Sequence, residues 1–165
     1  MTHLIEWPCA EIRMSSGILI RGLGTLLIAS ASLPSVPGVL IGSWSVGAPY
    51  DTKPPIGINS RQEARLRRLR IVYTKDHLRV CGHDIPVKTV TERRVTEDEF
   101  LQERGFLPSL IGFNNPHVLE IEINSPHAFG ACGDYIDPGA DLIIDDAGKH
   151  VVMGVANDYL PLKKE

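Results

Sequence analysis

Five arginines fall within ten residues of this 165-residue chain: Arg61, Arg65, Arg67, Arg68 and Arg70. At about 100° per residue, Arg61, Arg65 and Arg68 share one face of a helix, where their guanidiniums suit an anionic ligand or an acidic partner. A solvated helix face is the plainer reading of the same spacing. Tyr73, Phe100, Phe106, Phe113 and Tyr159 supply aromatic surface of the kind that lines a pocket for a small apolar molecule, or that simply fills a core. Cys81-Gly82-His83-Asp84 suggests a His-Asp pair, and His77, His117, His127 and His150 are scattered elsewhere. None of them repeats at an HxxxH or CxxC spacing, so no metal is expected and no cofactor is implied. The chain has no GxSxG elbow and no GxxxxGK phosphate loop, so no catalytic residue is singled out.

Composition narrows the partners. Lys and Arg number 17 against 20 Asp and Glu, a net charge of −3, so no basic field recommends nucleic acid. With 43% apolar and 22% charged residues the chain has the makings of one packed core. The 15 Gly and 12 Pro favour many short elements joined by turns, which leans towards β structure.

From Ile18 to Ala31 the chain reads ILIRGLGTLLIASA. Arg13 and Arg21, a short apolar run and the ending Ala29-Ser30-Ala31 are the parts of a secretory signal, with cleavage expected after Ala31. The run falls short of the roughly 20 residues a membrane span needs, so no stable span is expected after processing. A retained N-terminal helix or anchor is the alternative. Met14 opens a more typical signal than Met1, whose first residues include Glu6 and Glu11, and so is a candidate start. Residues 32–40 then read as a linker and 41–165 as one domain, in a periplasmic or secreted protein. Cys9 leaves with the leader. Cys81 and Cys132 remain as an even pair in an oxidising compartment, which predicts a disulfide closing about fifty residues. Two unpaired buried thiols are the alternative.

The domain must hold these groups on short elements. Ile41 to Val46 reads as a first strand, and Ser60-Arg61-Gln62-Glu63 as a capping box starting a helix that runs to about Arg68. Leu69, Ile71 and Tyr73, a turn at Lys75-Asp76, then Leu78 and Val80 describe a hairpin. One strand is expected from about Pro86 to Val95. Thr96-Glu97-Asp98-Glu99 is a second capping box, and Gly105 is placed to end a helix over 97–104. In Val118 to Ile123 the apolar residues alternate with Glu120 and Glu122, which predicts a half-buried strand with both glutamates facing solvent. Residues 125–140 read as a long loop, with Phe129 and Tyr135 on a surface suited to a protein partner. Leu142 to Asp145 and Lys149 to Val155 form a hairpin about Asp146-Ala147-Gly148, and Tyr159 to Leu162 a last strand. About eight strands result, the number at which an up-and-down sheet closes around a small interior.

Gly42-x-Trp44 on the first strand of such a meander resembles the lipocalin and wider calycin signature. From Leu40 to Lys163 the chain is similar to small exported bacterial lipocalin-like proteins of no established function. The GxW strand, LRRLRIVYTKDHLRVCG, the VTEDEF helix start and the ending Asn157-Asp158-Tyr159-Leu160-Pro161-Leu162-Lys163 carry the likeness. The resemblance implies a mainly β, lipocalin-like antiparallel barrel with two short helices, in which Gly42 and Trp44 are structural and Lys163 or Lys164 covers the Trp face. The function expected is non-covalent capture of a small apolar molecule inside the barrel or of a protein at its rim. An envelope inhibitor or protection module acting through the 125–140 loop is a second expectation, and a barrel enzyme a third. A titratable group in a polar cavity with a shifted pKa would mark the enzyme.

Overall fold

A computed structural model describes residues 35–52, 57–124, 132–133 and 137–165. The expected leader lies outside the described residues, as do His127, Phe129 and Tyr135. The strands are β1 (Gly42–Val46), β2 (Arg70–Tyr73), β3 (His77–Val80), β4 (His83–Pro86), β5 (Thr89–Thr96), β6 (His117–Asn124), β7 (Asp141–Ile144), β8 (Val151–Val155) and β9 (Asp158–Lys164). They form one sheet in the order β4-β3-β2-β1-β9-β8-β7-β6-β5, every neighbouring pair antiparallel. Two short helices, α1 (Ser60–Leu66) and α2 (Glu97–Arg104), and a 3-10 turn at Pro108–Ile111 complete the described elements.

The architecture is mainly β, a curled half-barrel, with nine strands where eight were expected. The strand expected from about Pro86 to Val95 is β5, which begins three residues later, and the ninth, unexpected strand is β4, which ends at Pro86; the two lie at opposite edges of the sheet. Pro86 has no N–H to carry a ladder onward. The next two amides then part company: Val87 N–H donates to the Asp76 carbonyl at 2.8 Å, and Lys88 N–H to the Asn124 carbonyl at 2.9 Å. Consecutive residues thus bond to the two ends of the strand order, which requires the sheet to curl until its edges meet at this corner.

A second unexpected turn forms at Cys81-Gly82, where both residues have positive φ, 53° and 79°. It makes β3 and β4 a two-residue hairpin with Val80 opposite His83. The suggested His83-Asp84 pair is corrected by this geometry. Neighbours along a strand point to opposite faces, and Asp84 is bound to Arg79 at 3.1 Å.

Both helices begin with capping boxes. In α2 Thr96 and Glu99 exchange the bonds read from the sequence, and Gly105 ends the helix in the left-handed conformation. In α1 the box is formed one residue early, by Asn59 and Gln62 instead of Ser60 and Glu63. The helix is correspondingly shorter, ending at Leu66.

Alternation along the strands sorts the core into two layers. Ile121, Leu142, Ile144, Val151, Met153 and Leu160 point into the concave side, where they meet Trp44, Ile71, Tyr73 and Leu78. Val118, Ile143, Val152 and Tyr159 point the other way, into a convex-side cluster with Phe100 of α2 and with Ile111 and Phe113. Each such side chain removed from water contributes roughly 1.5–3 kcal/mol. Burial on both faces explains the unbroken apolar runs Leu142-Ile143-Ile144 and Val151-Val152-Met153, which a one-sided sheet would interrupt with polar residues.

Candidate functional site

Strand register builds a row across the convex face. Thr91 of β5 stands opposite Glu122 of β6, Glu122 opposite Asp141 of β7, Asp141 opposite Gly154 of β8, and Gly154 opposite Tyr159 of β9. Beside it, Arg93 stands opposite Glu120. Helix α2 packs over this part of the sheet and sends Arg104, its last residue, down onto the row. Arg104 Nη2 donates to Glu120 Oε1 at 2.9 Å, and its Nη1 lies 3.9 Å from Asp141 Oδ2. Arg93 donates to Glu120 Oε2 through Nε at 3.2 Å and Nη2 at 2.6 Å, and grips Glu103 of α2 with the same fork.

Glu120 is therefore a buried hub, 8% exposed, and not the solvent-facing residue the alternation predicted. The correction has a simple cause: the strand's outer face is roofed by α2, and two arginines replace the water a carboxylate would otherwise need. Glu122 remains exposed, as expected.

Two clefts flank the Arg104–Asp141 contact. One, of about 350 Å³, runs over Gly154 to Ala156, Asn157 and Tyr159; the other, of about 480 Å³, runs over Thr91, Arg93 and Glu122. Gly154 is a requirement of the floor, since a Cβ there would sit 2.7 Å from Asp141 Oδ2. Burial pushes the Asp141 carboxyl above the usual carboxylate range, and Glu120 and Glu122 add to this against the pull of Arg104. Burial likewise raises the Tyr159 phenol, again opposed by Arg104. Burial works against the Arg104 charge, yet Glu120, Tyr159 and Asp141 hold its pKa above the ordinary value.

The groups singled out from the sequence are distributed differently. Tyr73 is buried in the concave core, where its hydroxyl donates to the Gly139 carbonyl at 2.9 Å. Phe100, Phe106, Phe113 and Tyr159 gather on the convex side, with Phe106 edge-on to Phe100 at 5.4 Å and to Tyr159 at 5.0 Å. Of the five aromatics, only Tyr159 lines one of the two clefts. Arg65 donates to the Cys132 carbonyl, while Arg68 lies beyond the end of α1 and Arg61 stays exposed on it. The crevice beside Arg65 and the disulfide holds about 20 Å³, room for little more than one water. Cys81 and Cys132 are joined, with sulfurs 2.00 Å apart. Trp44 donates through Nε1 to the Leu40 carbonyl at 2.7 Å, and Lys164, one of the two expected lysines, sets its Nζ 5.3 Å from the indole centroid. Its methylenes occupy the space left by Gly42, where φ is +134° and a Cβ would lie 3.0 Å from Lys164 Cε.

Arg104, Glu122, Asp141 and Gly154 escaped the sequence reading. The signal for them was the two-sided apolar run of β7 and β8, which implies a roof over the convex face and hence a covered strand on either side. Compared with protein-family models, with curated proteins and with solved structures, the chain has no match. Function must therefore be inferred from the geometry alone.

Proposed function

We propose that the protein is an exported, lipocalin-like half-barrel that captures a small ligand without covalent chemistry, and that it holds this ligand in the convex-face clefts beside Asp141. The likeness to a lipocalin-like barrel draws support from the Gly42–Trp44–Lys164 unit, and export from the disulfide. A small apolar guest inside the barrel is the less favoured form of this reading, because Ile121, Leu142, Met153 and Leu160 already fill the concave side and are fully buried.

One observation carries the choice of ligand. Glu122 and Asp141 stand directly opposite one another on the same face, an arrangement that costs stability in a sheet. Both border the same open cleft, and Arg104 reaches only Asp141, at 3.9 Å. A protonated amine or guanidinium bound there relieves that repulsion, and Gly154, opposite Asp141, leaves the carboxylate uncrowded. The ligand class is accordingly a small polar cation.

Thermal unfolding in the presence of agmatine, spermidine and choline tests the reading. At least one is expected to raise the melting temperature of the wild type, with the shift lost in Asp141→Asn. If no amine stabilises the protein, or if Asp141→Asn responds as the wild type does, the assignment falls. A second reading, a barrel enzyme, draws on the same raised carboxyl beside Tyr159. It requires that the bound amine be converted over time, which mass spectrometry of the incubated ligand would detect.

A further inference from the structure

The half-barrel has two edges, and they differ. Strand β4 has four residues and ends in Pro86, a short edge of the kind that resists pairing. Strand β5 has eight, Thr89-Val90-Thr91-Glu92-Arg93-Arg94-Val95-Thr96, with neither Gly nor Pro, and all but Val90 and Val95 are exposed. It pairs with β6 along its whole length and has no strand on its other side among the described residues. Such an edge offers a row of backbone donors and acceptors to another strand.

We infer that β5 is a homodimerisation edge, pairing antiparallel with β5 of a second copy about a two-fold axis at Arg93. The charge pattern selects both the occupant and the register. A two-fold axis through an antiparallel pair runs perpendicular to the sheet, so side chains on one face meet side chains on the same face. Glu92 and Arg94 share the concave face, opposite in sign and two residues apart. Centred on Arg93, the pairing sets each Glu92 across from the partner's Arg94, giving two cross-strand ion pairs, with Thr91 across from Val95. Centred on Glu92 or on Arg94, it sets like charges against each other at the axis and forms no opposite pair on either side. All three registers place one like pair at the axis, but only the one at Arg93 adds two opposite pairs to offset it, and there the facing arginines lie on the convex face, each already held by Glu103 and Glu120. Arg94 is bound through Nη2 at 2.6 Å to Asp146 in the turn after β7, a contact that occupies one nitrogen of the guanidinium and leaves its fork able to take a second carboxylate. This inference is independent of the ligand reading, since it uses neither Asp141 nor the clefts.

Sedimentation equilibrium of the full chain with its disulfide intact tests it, using Glu92→Arg and Arg94→Glu singly and mixed in equal amounts. The wild type is expected to dimerise reversibly and to dissociate as salt is raised. Each variant alone sets like charges against each other at both cross-strand contacts and should self-associate about tenfold more weakly. Mixing the two variants restores opposite charges at both contacts, and should restore the dimer. Far-UV circular dichroism reports whether each variant is folded. Hydrogen exchange on the wild type does not depend on the variants: β5 amides should be better protected at high protein concentration than at low. A wild type that stays monomeric at its solubility limit overturns the inference. So does a dimer that both variants leave intact, or one that protects a segment other than β5.

Discussion

Replacing Glu120 by leucine leaves its two arginines in unequal positions, and the inequality sets the size of the effect. Arg93 keeps its fork on Glu103 at the surface, a pair of little energetic consequence either way. Arg104 keeps the 3.9 Å approach to Asp141 and its contact with the Tyr159 side chain, and its buried Nε already lacks an acceptor. One partly buried cation is thus left without a close carboxylate partner. Breaking a buried pair from one side costs about 3–5 kcal/mol, and with a single stranded partner the low end, about 3 kcal/mol, is expected. Removing both members is a different perturbation: the double variant Arg104→Met/Glu120→Leu strands nothing and adds apolar surface beneath α2. It should recover at least half of the loss. Urea unfolding without reductant measures all of these, provided the slopes with denaturant agree. A Glu120→Leu cost below about 1 kcal/mol would refute the picture of Glu120 as a buried hub. A double variant as unstable as the sum of its singles would refute the mechanism assigned to the loss.

Other perturbations have equally definite outcomes. Because burial raises the Asp141 pKa in the folded protein above its unfolded value, the folded state binds this proton more tightly. Its contribution to stability is present at low pH and is lost as pH rises through the folded pKa, so Asp141→Asn should flatten that fall in a series of unfolding curves. The same titration governs the proposed cation, whose affinity should rise with pH over that window, as calorimetry would show. Reducing Cys81–Cys132, a link across 51 residues of sequence, should lower stability by about 4 kcal/mol on the chain-entropy model; denaturant midpoints with and without reductant measure it. Gly42→Ala forces a left-handed residue against Lys164, and should cost about 1–3 kcal/mol and change Trp44 fluorescence as the lysine is displaced.

Local chemistry was legible in the sequence, and contacts between distant segments were not. Thr96, Glu99 and Gly105 bound α2 correctly because a capping box and a left-handed glycine act within a few residues. The turn at Asp146-Ala147-Gly148 was readable for the same reason, and there the Asp145 carboxylate accepts from the Lys149 and His150 amides at 2.7 and 3.1 Å. For α1, two overlapping boxes satisfy the same rule, and sequence offers no way to choose Asn59 over Ser60. The break after Pro86 depends on where Val87 and Lys88 find acceptors, in turns and strands far along the chain. Glu120 looked solvent-facing because alternation tells which residues share a face but not what covers that face. The convex site was least visible of all, since its row takes one residue from each of five strands and Arg104 from a helix.

Whether the ligand sits on the convex face can be decided by following amide and methyl chemical shifts as the oxidised protein is titrated with the amine that stabilises it best. Shifts centred on the amides of Arg104, Glu122, Asp141 and Gly154–Asn157, and absent in Asp141→Asn, are expected. Shifts centred instead on the methyl groups of Leu142, Met153 and Leu160 would place the ligand on the concave side and contradict the assignment.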